Sequence, residues 1–243
     1  MLYFYHMNPI NYQEIGQELQ KHIKGDISML DQDKERAARD TSLFYLLPGL
    51  VIYPKNAHDI SVVLEYVSKK KVDLPALSVT MRAAGTCMTG GPLTESIVID
   101  TTKYMNHVTD VNSMTATAEP GVFYRDFEKK TLEAGWIMPS YPASRELAAI
   151  GGIVSNNSGG EKTLTYGKTE KYVQSLDVLY ANGQGDVLHA FTGNDLTVKL
   201  EEQSEGGRIH REMFALIDAN YDTIMNAKPT VSKYSSYLII DIP

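Results

Sequence analysis

The stretch from Leu77 to Asp100, LSVTMRAAGTCMTGGPLTESIVID, constrains this chain more than any other. A β-type run ends at Thr80, and a turn of small residues follows over Arg82, Ala83, Ala84, Gly85 and Thr86. Gly90 and Gly91 then precede a second β-type run, Ser96 to Asp100, which closes on an acid. Small residues let a ligand approach the backbone closely, because no side chain stands in the way. Successive backbone N–H groups in such a turn can converge on an anion, which suits a pyrophosphate. A plain loop with glycines where φ must be positive accounts for the segment equally well. Two commoner phosphate loops are excluded. A P-loop needs Gly, four residues, then Gly-Lys-Ser/Thr. Gly90 is correctly spaced from Gly85, but Gly91 stands where the lysine belongs, and at Gly160-Glu161-Lys162-Thr163 the second glycine is replaced by Glu161. The GxGxxG fingerprint of dinucleotide folds is also missing.

A second segment, residues 139–160, reads PSYPASRELAAIGGIVSNNSGG. It holds the pairs Gly151-Gly152 and Gly159-Gly160 with Asn156-Asn157 between them, and Pro139 and Pro142 stiffen its entrance. Turn residues at this density beside the apolar run Ile150 to Val154 point to backbone pressed against something flat. An ordinary loop followed by a short helix is the competing reading.

Together these blocks resemble the FAD-binding domain, of PCMH type, of the vanillyl-alcohol-oxidase superfamily, and in particular its glycolate oxidase and D-lactate dehydrogenase branch. The family's PRGAGT is matched by Met81 to Thr86, its QPGV-like turn by Glu119 to Val122, and its PPDPSS by residues 139–144. Its IGG and NxSG blocks are matched by Ile150 to Gly159, and its RYGKT and ADG blocks by Tyr166 to Thr169 and Ala181 to Gly183. Each motif is weak alone, but their order and spacing agree over roughly residues 30–190.

The resemblance implies an α+β fold of two subdomains with the pyrophosphate and flavin between them. Arg82, Ala83, Ala84, Gly85 and Thr86 would wrap the FAD pyrophosphate, supported by Gly90 and Gly91. Ser144 and the turn Ile150, Gly151 and Gly152 would approach the ribityl chain and isoalloxazine ring, and Asn156, Ser158 and Gly159 would complete the flavin wall. Relatives with covalent flavin carry a histidine where this chain has Thr86, so noncovalent FAD is expected. Met81 for Pro and Ala83 for Gly depart from the pattern, and a positive φ at Ala83 would weaken the site. Residues 1–48 read as a helical lead-in and 49–243 as the FAD-binding domain. The stretch 228–243, KPTVSKYSSYLIIDIP, ends before the family's GSEGTLG-type motif and its substrate domain. A fragment or split subunit is therefore expected, completed by a C-terminal domain or partner subunit.

Composition fits this picture. Hydrophobic content of 43% over 243 residues supports one large domain or two small ones. The single cysteine, Cys87, excludes an internal disulfide and fits a reducing, cytoplasmic setting. No apolar run approaches the length of a membrane span, and the aromatic N-terminus has no basic n-region of a signal peptide. A net charge of −7 argues against generic binding to nucleic acid. The histidines His6, His22, His58, His107, His189 and His210 show no metal-ligand spacing, so no metal site is expected. One cysteine cannot hold an iron–sulfur cluster, and no nucleophile elbow appears.

Periodicity predicts helices over Asn11–Lys24, His58–Lys70 (capped by Asn56), Tyr124–Ala134 (stopped by Gly135) and Ile209–Met225. Strands are predicted at Gly49–Tyr53, Ala76–Thr80, Ser96–Asp100 and Thr115–Glu119, with a hairpin of Val173–Tyr180 and Asp186–Ala190 around Asn182-Gly183. The polar, acidic segment 193–207 reads as a mobile surface insertion. Arg36 and Asp40, one helical turn apart, read as an ion pair on one helix. Arg82 either offsets phosphate charge or anchors its own loop.

Two function classes follow. The first is the FAD-holding part of an enzyme that oxidises a small 2-hydroxy acid to the 2-oxo acid, with no catalytic residue assigned in this chain. The second is a non-catalytic flavin-binding or interaction module. A sugar or alditol oxidase of the same superfamily is a third reading, against which the YGKT and PSYPAS blocks speak.

Overall fold

A computed structural model describes residues 10–112 and 114–227. The aromatic N-terminus and the stretch 228–243 lie outside the described residues. The chain divides into two compact units. One holds residues up to Gln174 together with Ala181–Gly185, and the other holds Ser175–Tyr180 with the residues from Asp186 onward.

The first unit opens with α1 (Tyr12–Gln20), β1 (Asp26–Ser28) and α2 (Asp31–Ala37), followed by β2 (Leu50–Tyr53), α3 (Ala57–Lys70), β3 (Val79–Arg82) and β4 (Ile97–Asp100). These strands make one sheet of order β1-β2-β4-β3, in which β1 runs antiparallel and the other three are parallel. Every residue of LVIY in β2 and IVID in β4 is buried. Continuous apolar, β-branched runs of this kind belong to parallel strands covered on both faces. The register sets Arg82 opposite Asp100, so β3 and β4 deliver opposite charges to the same sheet edge.

Helix α3 starts where Asn56 Oδ1 accepts the Asp59 N–H at 3.0 Å, as its sequence predicts. Ile60, Val63 and Val67 are buried on one face, with Leu64 half-buried beside them. The fully buried Asp59 accepts backbone N–H groups of Lys24 and Lys55, each at 2.9 Å, and so ties the exits of α1 and β2 to this turn. Asp59→Ala orphans both donors and is expected to lower stability by about 2 kcal/mol. This would be read as a lower urea midpoint at unchanged slope; an unmoved midpoint would mean that water replaces the carboxylate at no cost.

The same unit continues with the antiparallel pair β5 (Val108–Thr109) and β6 (Thr117–Ala118), then α4 (Tyr124–Glu133), α5 (Ile150–Ser155), α6 (Thr163–Tyr166) and a 3-10 turn at Thr169–Tyr172. Its core gathers Val122, Tyr124, Phe127, Tyr141, Ala148 and Ile153. The fully buried Tyr124 donates its hydroxyl to the Met138 carbonyl at 2.6 Å. Gly135 ends α4 at φ +84°, as expected of a helix stop. The strand predicted over Thr115–Glu119 is shorter than expected.

The second unit contains β7 (Ser175–Leu179) and, from Asp186 onward, its paired strand β8 (Gly185–His189), then α7 (Gly193–Glu201) and α8 (Glu205–Asn226). The segment 193–207, expected as a mobile surface insertion, lies mostly at the surface but is largely helical. Thr192 and Asp195 form a reciprocal capping box that starts α7, and Ser204 accepts the Gly207 N–H to start α8. The helices and strands together bear out the α+β expectation.

Candidate functional site

The parallel strands β2, β3 and β4 end side by side, and a cavity of about 530 Å³ opens at those ends. Ligands of open α/β sheets bind outside the carboxyl ends of the strands. Tyr53, Arg82 and Asp100 line the cavity from the three strand ends, Asp33 and Arg36 from α2, and Ala83 and Ala84 from the turn after β3. Lys103 and Phe123 also line it. Three cationic groups thus face two carboxylates. Arg36 pairs with Asp100 at 3.2 Å and Lys103 with Asp26 at 2.5 Å. Burial, with a hydrogen bond to Asp33, pushes the Tyr53 hydroxyl up to about 12, so it stays protonated as a donor at neutral pH.

Arg82 closes β3 rather than standing in the turn, and it is nine-tenths buried. Its Nη1 donates to the Ala37 carbonyl at 3.4 Å. A Cβ built on Gly85 would lie 2.2 Å from Arg82 Nη2, so the guanidinium packs directly against the turn. Of the two roles open from sequence, the geometry favours anchoring the loop. Burial lowers the Arg82 pKa, with Asp100 acting in the opposite direction. Gly85 at φ +70° and Gly90 at φ +79° take backbone conformations that favour glycine. Among the described non-glycine residues positive φ occurs at Asp110 and Asn157, so Ala83 sits in its turn without that strain.

The Ile150–Gly152 turn is held by the Glu119–Val122 turn. Ile150 N–H donates to the Val122 carbonyl and Gly151 N–H to the Pro120 carbonyl, both at 2.8 Å. A Cβ on Gly151 would meet Pro120 at 2.7 Å, so this contact needs glycine. Gly152 is exposed, and a Cβ built there would lie 3.7 Å from the Ala83 methyl. The two glycine-bearing segments singled out from sequence therefore meet at Ala83 and Gly152.

Ser144 leads into this turn, its carbonyl accepting the Leu147 and Ala148 N–H groups at 2.8 Å. Beyond α5, Asn156 is exposed, and Asn157 rather than Asn156 takes the positive φ of 42°. The Asn157 side chain accepts the Glu170 N–H at 3.0 Å. Ser158 is buried, and its carbonyl accepts both the hydroxyl and the N–H of Thr169, at 2.8 and 3.1 Å. Gly159 passes close to Thr163. The YGKT block thus clasps the loop that carries Ser158 and Gly159.

Sequence reading missed Asp33, Tyr53 and Lys103 as cavity residues, and Arg36 was assigned to the wrong partner. His107 is exposed, with its Nδ1 2.8 Å from Glu119 Oε2. Among the described residues no helix is long and apolar enough to cross a membrane, and no group of three or more His, Cys, Asp or Glu could hold a metal ion. FAD fits what is present: exposed glycine backbone at Gly91 and Gly152, and a cavity with cationic lining at the strand ends.

A family model described as FAD binding domain matches residues 48–188. The glycolate oxidase subunit GlcD of Bacillus subtilis (strain 168) is 35% identical over 174 residues, covering 68% of this chain and 36% of the relative. The D-lactate dehydrogenase of Archaeoglobus fulgidus is 31% identical over 137 residues, covering 56% of this chain and 30% of the relative. The chain thus spans about a third of the length of these curated relatives. Among solved structures, alkyldihydroxyacetonephosphate synthase superposes with a TM-score of 0.64 at 20% identity, covering 79% of this chain and 37% of that one, a likeness of fold. With the family model matched over more than half its residues, and with its glycine-bearing turns brought together at one sheet edge, the chain belongs to the FAD binding domain family.

Proposed function

We propose that this chain is the FAD-holding part of a flavin-dependent oxidoreductase that oxidises a small 2-hydroxy acid, of the glycolate or D-lactate type, to the 2-oxo acid. The observation that carries this reading is the meeting of the two glycine-bearing turns at Ala83 and Gly152 beside the cavity at the strand ends. The names of the two curated relatives support the substrate class, and their greater length supports placing the substrate pocket in sequence outside the matched stretch.

In this reading Ala83, Ala84, Gly85 and Thr86 hold the pyrophosphate through backbone N–H groups, with Arg82 fixing the turn from beneath and Gly90 and Gly91 supporting it. Ser144, Ile150, Gly151 and Gly152 position the ribityl chain and ring, and Asn156, Ser158 and Gly159 exclude water from the flavin face. When bound, the flavin supplies the acceptor for the hydride leaving the substrate α-carbon. Thr86 offers no imidazole for covalent attachment, so the cofactor is held noncovalently.

The test is to add FAD to the purified chain, remove the excess, and record the visible spectrum before and after denaturation. Bound flavin that denaturation releases is the expected result. Flavin retained by the denatured chain would overturn the noncovalent attachment, and no bound flavin at all would overturn the cofactor role.

A further inference from the structure

The segment Ala37–Ser42 begins at the last residue of α2 and lies before residue 48, where the family match begins. Three of its residues, Ala37, Asp40 and Thr41, bond to the end of β3 or to the turn after it. Arg82 Nη1 donates to the Ala37 carbonyl. Asp40 Oδ2 accepts the Gly90 N–H at 3.0 Å, while Oδ1 accepts the Ser42 N–H at 2.8 Å. The Thr41 hydroxyl donates to the Thr86 and Cys87 carbonyls at 3.1 and 2.8 Å, and the Thr41 N–H donates to the Cys87 carbonyl at 3.0 Å. The Arg36–Asp40 ion pair expected from sequence is thus replaced by two separate long-range contacts, Arg36 to Asp100 and Asp40 to Gly90.

These contacts have a directional consequence. In a trans peptide the C=O of one residue and the N–H of the next point to opposite sides, and the described residues contain no cis peptide bond. Drawing the Thr86 and Cys87 carbonyls toward Thr41 therefore turns the Cys87 and Met88 N–H groups to the other side of the loop. Among the described residues neither of those N–H groups has an acceptor. Partial burial works against ionisation of Asp40, but hydrogen bonds from Ser42 and the Gly90 N–H outweigh it and hold the carboxyl below its ordinary value, so it is an anion acceptor at neutral pH.

We propose that Asp40 and Thr41 are positioning residues for the cofactor: they hold the end of the pyrophosphate turn so that the Cys87 and Met88 N–H groups face outward and add to the anion contacts of residues 83–86. This rests on the FAD-binding reading above. Neither residue touches the cofactor in this scheme, since both act through the turn.

The experiment titrates FAD into the full chain and into Thr41→Val, Thr41→Ser and Asp40→Ala, with hydrogen exchange over 83–90 and thermal melting in the absence of FAD. Thr41→Val removes the hydroxyl at constant shape and is expected to raise the FAD Kd by about tenfold, and Asp40→Ala by at least as much. Thr41→Ser keeps the donor and is expected to stay within about twofold of the parent. Exchange over 83–90 should quicken in the two weak binders while their melting temperatures move little. Parent-like FAD binding by Thr41→Val and Asp40→Ala would overturn the positioning role alone. So would equal losses in Thr41→Val and Thr41→Ser that track lower melting temperatures, because the residue would then be merely structural. A parent chain that binds no FAD would overturn the functional reading, and the positioning role with it.

Discussion

Gly85→Ala is expected to weaken FAD binding by about a hundredfold, the largest loss of any single methyl in the candidate site. Two costs combine. Gly85 sits at φ +70°, where an L side chain is strained, at about 1–2 kcal/mol. The new Cβ would also fall 2.2 Å from Nη2 and 2.6 Å from Cζ of Arg82. That guanidinium is nine-tenths buried and fixed by the Ala37 carbonyl beside Asp100, so displacing it disturbs a buried charge. The free protein relieves the strain by reshaping the turn, whereas binding requires the original turn, so the combined cost of about 3 kcal/mol appears in Kd. Gly135→Ala is the control. It carries a similar φ of +84° with nothing within 4 Å of the added carbon, so it should cost about 1 kcal/mol of stability and leave Kd unchanged. A Gly85→Ala chain that binds FAD within about threefold of the parent would remove this turn from the cofactor site.

What the sequence made legible was local. The apolar runs of β2 and β4, the Asn56 cap and the Gly135 stop each carry their signal within a few residues, and each formed as expected. Two glycine-bearing turns could be singled out as ligand-facing, but their meeting at Ala83 and Gly152 needed the fold. The misreadings have two causes. Asp40 and Arg36 looked like partners because they are one helical turn apart, yet α2 ends at Ala37 and Asp40 lies beyond it. Each then found a partner at least fifty residues away, where strand order rather than spacing decides proximity. Segment 193–207 looked like loop because glycines and acids dominate it. The Thr192–Asp195 capping box was readable there, but it was outweighed by polarity, and the apolar contacts that would have argued for helices are sparse.

The same segment carries the largest stability prediction. Lys199 on α7 is buried, with its ammonium 2.7 Å from Asp186 on β8 and 2.9 Å from Glu202. The Tyr180 hydroxyl donates to Asp186 at 2.8 Å, and a Cβ on Gly206 would lie 2.1 Å from the same carboxylate, so the start of α8 closes over the cluster only as glycine. Lys199→Met removes the cation and leaves Asp186 in a half-buried place with two neutral donors, the Tyr180 hydroxyl and the Val187 N–H. Breaking a buried pair in this way is expected to cost about 3 kcal/mol, seen as roughly hundredfold faster hydrogen exchange in α7 and α8. The single tryptophan, Trp136, belongs to the first unit and should report an unmoved transition there. Acidity gives an independent check. Burial opposes ionisation of both partners, but their mutual hydrogen bonds prevail, lowering the Asp186 pKa and raising that of Lys199. Asp186 thus contributes stability above its ordinary carboxylate value, and this is lost as pH falls through the lowered one. Lys199 contributes below its ordinary value, and this is lost as pH rises through the raised one. Protection of α7 and α8 should therefore hold through neutral pH and fall at both extremes. In Lys199→Met the alkaline fall attributable to Lys199 should vanish and the acid limb should reverse, because protonation now relieves an unpaired carboxylate. An acid limb that keeps its parental sign would show that Asp186 owes its ionisation to Tyr180 and the Val187 N–H rather than to Lys199.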